Sequence, residues 1–279
     1  MTEASAPTAP PEATAPSAPT APTAPTERRW ELPASGPQSD GSEIVRVVSW
    51  NIRSLRDDRT AVVRVLRALE PDLVCLQESP RFWFPRPQAG WLARSTGLLV
   101  LSGGRSAAGP LLLGRLRALP LSVHDVLLPR TPGLHQRGFA TTVVRLGSAR
   151  PFSLTSCHLS LDRDERRRQC ALLLDHLDHL DGLDVAHSLV GGDVNERPGE
   201  PGWELLGSRL QDGWATRPWG GEYSFPSAEP SRRIDAVFAT RDVEVLACGA
   251  VGEGFPGLRG KDLTLATDHR PVLAALRLS

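Results

Sequence analysis

Apolar positions alternate along IVRVVSW (44–50), a β-branched run that predicts a strand. The period then changes. Along DRTAVVRVLRAL (58–69), Val62, Val65, Leu66 and Leu69 recur at helical spacing, with Asp57 or Asp58 placed to cap the helix and Pro71 to end it. DLVCLQ (72–77) is apolar throughout and predicts a second strand. TGLLVLS (96–102), LLLGRL (111–116) and LPLSVHDVLL (119–128) read as strands with tight connections, and GFATTVVRL (138–146) with PFSLTSCHL (151–159) as a hairpin around Gly147 and Ser148. DRDERRRQCALLLDHLDHL (162–180) is the clearest helix, with an acidic first turn, an inner stripe of Leu173, Leu177 and Leu180, and ERRRQ as a solvated face. VAHSLV (185–190), RRIDAVFA (232–239), DVEVLACGA (242–250) and PVLAALRL (271–278) complete the strands, with a loop-rich stretch after VAHSLV. Strands followed by helices at the start, with hairpins in the middle, predict an α/β sandwich of mixed sheets.

Composition divides the chain in two. Residues 1–42 are rich in Ala, Pro and Thr, with APT recurring at 6–8, 18–20, 21–23 and 24–26. Apart from Trp30 and Leu32 this stretch has almost nothing to bury, so it is expected to be a disordered, partly polyproline-like tail. It lacks the basic start and apolar core of a secretory signal. No window approaches the roughly 20 apolar residues of a membrane span. Residues 43–279 form the expected domain. The chain balances 32 basic against 32 acidic residues; the tail holds two of the former and five of the latter, which leaves the domain 30 against 27. That excludes a strong bulk footprint for polyanions, though not a local basic cleft. Cys75, Cys157, Cys170 and Cys248 sit in apolar runs without zinc-ligand spacing, as buried thiols in a reducing compartment would; a cytoplasmic monomer is expected.

The polar residues at strand ends carry the chemistry. Asn51 ends the first strand and Glu78 follows the second; His158 lies in SCHLS, Asp193 and Asn195 in GGDVNERP, Asp235 within RRIDAVF, and Asp268 with His269 just before the last strand. Each has an ordinary explanation. Asn51 and the GDVN segment suit turns, His158 suits a satisfied core position, and Glu78 suits a solvated edge. Asp235 is harder to dismiss, because a half-buried carboxylate between apolar neighbours needs a partner. Together they are hard oxygen ligands plus two imidazoles at strand termini, where open α/β sheets place their sites. Extended geometry places Asp193 and Asn195 on one side, and the two preceding glycines would let the backbone approach a phosphate or a metal-bound water. Arg137, in HQRGFA, is a further candidate for holding a phosphate oxygen; a surface salt bridge explains it equally well.

The blocks SWN, LQE, CHL, GDVN, RRID and TDHRPV, in that order over about residues 44–278, resemble the endonuclease/exonuclease/phosphatase superfamily. The resemblance implies a four-layer α/β sandwich of two mixed sheets flanked by helices, and divalent-metal hydrolysis of a phosphodiester or phosphomonoester by in-line attack of water. It implies Glu78 as the principal ligand of Mg²⁺ (or Mn²⁺), with Asn51 beside the metal and a phosphate oxygen and Asp268 close to the metal. Asp193 and Asn195 would orient water and phosphate, Asp235 would hold His269, and His158 would donate to a phosphate oxygen. His269 and Asp193 are the acid/base candidates. Mg²⁺ suits such a site because it prefers oxygen and keeps several waters. The CHL block resembles the deoxyribonuclease, sphingomyelinase and phosphatase branches. Apurinic-site enzymes use an earlier tyrosine, whereas Tyr223 is the single tyrosine here. No inserted aromatic–basic loop and no membrane-inserting hairpin stands out. The substrate is a phosphate ester, whether small molecule, lipid head group or nucleic acid; a nuclease and an inactive scaffold of the same fold are the alternatives.

Overall fold

Glu43–Asn51 alternates strictly: Val45 and Val47 point to one side, Val48 and Trp50 to the other, and all four are fully buried. A strand buried on both faces needs a layer on each side, and the chain supplies both. In the computed structural model, which describes Met1, residues 30–181 and residues 184–279, the element order is β1 (Gly36–Pro37), β2 (Glu43–Asn51), α1 (Arg59–Leu69), β3 (Leu73–Gln77), α2 (Pro85–Thr96), β4 (Leu99–Gly103), β5 (Leu111–Gly114), β6 (Ala118–Val123), β7 (Val126–Leu127), β8 (Gly138–Leu146), β9 (Phe152–His158), α3 (Arg163–Asp181), β10 (His187–Asp193), α4 (Pro201–Arg209), β11 (Leu210–Asp212), α5 (Gly213–Thr216), β12 (Asp235–Thr240), β13 (Glu244–Ala250), α6 (Asp262–Ala266) and β14 (Val272–Leu278).

The strands form two mixed sheets of seven. One runs β13-β14-β2-β3-β5-β4, with β1 on β2; the other runs β11-β12-β10-β9-β8-β6, with β7 on β8. The parallel pairs are β2 with β3 and β9 with β10. Val45, Leu73, Leu154, Leu189, Val237 and Leu276 pack between the sheets. Val48, Leu66, Leu76, Leu92 and Leu263 join α1, α2 and α6 to the outer face of the first sheet. Leu173, Leu177, Val190, Leu206 and Phe238 join α3 and α4 to that of the second. This is the expected four-layer sandwich.

Local expectations hold at most elements. Asp58 caps α1, its carboxylate accepting from the backbone N–H of Thr60 and Ala61. Leu173, Leu177 and Leu180 are buried. All four cysteines are free and buried.

Four expectations need correction. The expected tail, residues 1–42, falls in two parts. Residues 2–29 lie outside the described residues, but Trp30 stacks edge-on against Trp219 and Phe255, and β1 pairs with β2. Residues 30–42 therefore belong with the domain. Within ERRRQ, Arg167 and Arg168 are exposed but Glu165, Arg166 and Gln169 are buried. Arg166 Nη2 lies 3.3 Å from Glu196 Oε1, and its Nη1 donates to the Ser160 carbonyl at 2.8 Å. Segment 85–96, for which no element was expected, is α2; Pro85 and Pro87 fall in its first turn, where a missing N–H costs nothing. The loop-rich stretch after β10 contains α4, β11 and α5.

Candidate active site

The inter-sheet layer changes character along its strands. From one end to the other, β2 presents Val45, Val47, Ser49 and Asn51, β3 presents Leu73, Cys75 and Gln77, β9 presents Leu154, Ser156 and His158, and β10 presents Leu189, Gly191 and Asp193. The apolar core gives way to a hydroxyl and amide layer, and that layer to a titratable one. Gln77 ties the middle layer across both sheets: its Nε2 donates to the Cys75 carbonyl at 3.0 Å, Ser156 Oγ at 3.2 Å and Ser49 Oγ at 3.3 Å. It is the floor of the site.

Register sets the next layer. Asp193 pairs with His158 on β9 and with Asp235 on β12, so three strands deliver three functional groups in one row. Asp193 Oδ2 accepts from Asn51 Nδ2 at 3.0 Å and lies 3.4 Å from His158 Nε2 and 3.8 Å from His269 Nε2. Asn51 Nδ2 also reaches Glu78 Oε1 at 3.3 Å. The last strand's approach places His269, with its carbonyl held by Trp50 Nε1 at 2.9 Å and its ring 4.7 Å from that of Phe225. His269 Nδ1 lies 2.8 Å from Asp235 Oδ2, which Ser224 Oγ also meets at 2.6 Å. The sequence thus joins residues from six separated segments around a cavity of about 310 Å³.

Asn51, Glu78, Arg137 and His158 line that cavity, with Asp193, Asn195 and His269. Asp235 stands behind His269 and is 1 % exposed. Asp268 is the exception: it does not line the cavity, and its Oδ2 lies 3.7 Å from Arg53 Nε. Arg137 makes no ion pair or side-chain hydrogen bond among the described residues; its Nε is buried without an acceptor, and no surface salt bridge accounts for it.

The GDVN segment is both turn and site. The strand ends at Asp193, and Asn195 adopts a left-handed conformation (φ 55°), so simple alternation does not bring Asn195 to the cavity. An Asx turn does: Asp193 Oδ1 accepts from the Asn195 N–H at 3.1 Å, and Asn195 Nδ2 donates to the Leu159 carbonyl at 2.9 Å. The glycines also differ from expectation. A Cβ on Gly191 would sit 2.6 Å from Cys75 Cβ and one on Gly192 would meet Cys157 Sγ, so both serve close packing within the protein and not approach to a ligand.

Burial, then the neighbouring Asp235 charge, pushes the Asp193 carboxyl up to about 7; His269, Asn51 and the Asn195 N–H pull the other way. Burial alone would lower His269, but the charge and hydrogen bond of Asp235 outweigh it and raise this imidazole to about 9. His158 is held well below its ordinary value by burial and the Arg137 charge, and stays neutral. Burial also lowers Arg137, against the pull of Asp193 and Glu78.

Asp193, Asp235 and His269 place ligand-capable atoms within 4.8 Å of one another. His269 Nδ1 is already engaged by Asp235, which fits a proton-holding pair better than a metal pair. Glu78 and Asn51 could hold a hard cation: among the described residues the Glu78 carboxylate meets only that amide, and it lines the cavity.

A model of the Endonuclease/Exonuclease/phosphatase family matches residues 48–269. The chain belongs to that family. No curated protein matches it in sequence. Among solved structures, this family member is similar to an endonuclease/exonuclease/phosphatase from Bacteroides vulgatus (21% identity, 85% of this chain and 99% of that one, TM-score 0.69). It is also similar to the mannosyl-6-phosphatase Bt3783 of Bacteroides thetaiotaomicron (16%, 83% and 99%, TM-score 0.68) and to TDP2 of D. rerio complexed with single strand DNA product (19%, 84% and 98%, TM-score 0.65). At these identities the likeness is one of fold. No helix among the described residues is long and apolar enough to cross a membrane.

The cavity wall includes residues the motifs did not reveal: Ser54, Arg56, Arg81, Phe82, His135 and Leu161. No inserted aromatic–basic loop was expected; RFWFPR (81–86), which begins three residues after Glu78 and runs into the first turn of α2, does set three aromatics between arginines. Ser224, which fixes Asp235, lies in GGEYSFPS and left no signal of its own.

Proposed function

We propose that this chain hydrolyses a phosphoester by in-line attack of water on phosphorus, with help from a divalent cation. The observation that carries the reading is the linked set Asp235–His269–Asp193–Asn51–Glu78 around a cavity that also holds the unpaired Arg137. Mg²⁺ or Mn²⁺, held by Glu78 and Asn51 with Asp268 near by, would supply positive charge to the phosphate oxygens. The protein's own groups do the rest. Asp193, with a carboxyl near 7, accepts the proton of the attacking water. Asn195 and Asn51 orient water and phosphate. His269, kept protonated by Asp235, turns its Nε2 toward the cavity and donates to a phosphate or leaving-group oxygen. His158, neutral, donates one N–H, and Arg137 meets the remaining oxygen with its guanidinium.

The test is turnover of bis-p-nitrophenyl phosphate and p-nitrophenyl phosphate by the purified chain with Mg²⁺, Mn²⁺ or EDTA. Metal-dependent release of nitrophenolate, lost in Asp193→Ala and His269→Ala, is expected. Turnover that ignores EDTA or both substitutions would sink the reading, and the relative rates separate diester from monoester chemistry.

A further inference from the structure

The loop at 81–84, just before α2, exposes three consecutive aromatic residues: Phe82 by 69%, Trp83 by 83% and Phe84 by 74%. Trp83 and Phe84 both hold left-handed backbone (φ 43° and 56°), a region that bulky residues rarely adopt. The rings lie exposed beside the α2 N-terminus, with the Arg81 guanidinium 5.4 Å from the Phe82 ring centroid.

Phe82 is a wall common to three concavities. The first is the catalytic cavity. A second, of about 700 Å³, is lined by Trp83, Phe84, Arg105 and Leu127, and a third, of about 370 Å³, by Ser54, Arg56 and Trp83. Arg81 borders all three and donates through Nη1 to the Ala108 carbonyl at 2.8 Å. Among the described residues, Arg56, Arg81 and Arg105 have no carboxylate partner, whereas Arg53, Arg64 and Arg117 do.

We propose that this rim is a stacking platform for single-stranded nucleic acid, with Phe82 and Trp83 taking bases and Arg56, Arg81 and Arg105 taking the phosphates on either side of the cavity. The inference rests on the phosphoesterase reading of the cavity and names its substrate class. A lone phosphate or sugar phosphate would leave both side concavities empty. Aromatic faces accept any base, and a guanidinium beside them neutralises the backbone. A bilayer covers a convex apolar tip, but here the aromatic ridge stands between two arginine-bearing grooves continuous with the cavity. The small net charge of the domain favours a short single strand over a duplex tracked across a broad basic face.

The experiment is fluorescence anisotropy of labelled eight-nucleotide oligothymidylate with the full chain in EDTA, so that binding is read without turnover. Binding is expected, with an abasic oligomer of equal charge at least about tenfold weaker and Trp83→Ala weaker by about 5- to 150-fold. Trp83→Phe should restore most of the affinity, with all three proteins melting at the same temperature. Equal affinity for abasic and thymidine oligomers, an unaffected Trp83→Ala, or tighter association with anionic phospholipid vesicles than with the oligonucleotide would overturn the proposal; the last outcome would assign the ridge to a membrane surface. Failure to hydrolyse bis-p-nitrophenyl phosphate would instead remove the catalytic reading, whatever the oligonucleotide does.

Discussion

Asp193 and Asp235 sit directly opposite each other in the β10–β12 register, two carboxylates 1 % exposed and one strand apart. His269 stands between them, its Nδ1 2.8 Å from Asp235 and its Nε2 3.8 Å from Asp193, while Asn51 and the Asn195 N–H donate to Asp193 and Ser224 to Asp235. The arrangement divides labour. Asp235 keeps His269 charged, and the burial and charge left over fall on Asp193.

Asp193→Asn should therefore abolish activity and stabilise the metal-free protein. Burial, and then Asp235, raise the folded Asp193 carboxyl from 3.8 to about 7. Between those values the folded state binds more protons than the unfolded one, so stability falls as pH rises from about 4 to about 7, and the full cost remains above that. The variant loses this penalty. Thermal unfolding in EDTA should show it melting at least about 2 °C above the wild type at pH 8, with a smaller gap at pH 5. A lower melting temperature at pH 8 would mean that Asp193 is not strained by its burial.

Asp235→Asn tests the other half. The amide preserves shape but removes the charge and hydrogen bond that hold His269 near 9. In the wild type that raised value gives stability in full below about 6.5 and loses it as pH rises through about 9. In the variant His269 should titrate well below 9, because only the charges of Asp193 and Asp268 then oppose its burial. NMR titration of the imidazole reads this directly, and kcat should fall by about 10²- to 10⁴-fold. An unchanged His269 titration would separate the two residues.

Much of this site was legible because its parts are local. Each candidate residue lies at or near one end of a strand whose alternation or apolar run is visible in ten residues or fewer, and a polar residue there is conspicuous. What joins distant segments was not legible. Arg166 looked solvated because Glu196, its buried partner, lies 30 residues on. Gly191 looked like a ligand-side glycine because its true neighbour, Cys75, belongs to the opposite sheet. Asn195 was placed on the correct side by an argument from alternation, although an Asx turn is what turns it. Helix α2 was hidden by Pro85 and Pro87, which read as breakers and act as its first turn. The aromatic loop was hidden differently: it buries nothing, so no periodicity marks it.

Gly191→Ala probes the sheet contact beneath the site. The added methyl would lie 2.6 Å from Cys75 Cβ and 3.1 Å from Ser49 Cβ, both on the facing sheet. Neither is the far end of a flexible chain, so the sheets must part or the strand must shift. The expected loss is about 1–3 kcal/mol in urea unfolding. The row of candidate residues at Asp193 follows two residues later, so turnover should fall even under conditions where the variant is fully folded. A variant as stable as the wild type would show that the inter-sheet space is looser than this packing requires.

Arg137 is a mostly buried cation without a partner, and its removal should separate stability from binding. Burial, with the Arg81 charge, lowers its pKa, and only the more distant charges of Asp193, Glu78 and Glu165 oppose that. A buried charge without a close counter-ion destabilises a fold, and replacing it with an apolar chain of similar length relieves the cost. Arg137→Met should therefore melt above the wild type in the absence of ligand. Its kcat/KM should fall by about 10- to 100-fold, the usual worth of one or two hydrogen bonds to a charged oxygen. Inorganic phosphate offers a second reading without turnover. It should raise the wild-type melting temperature in a concentration-dependent way, as any ligand of the folded state does, and have little effect on the variant. If phosphate protects both proteins equally, the guanidinium is not where the phosphate binds, and the anion rests on other groups of the wall, such as His269, Arg56 or Arg81.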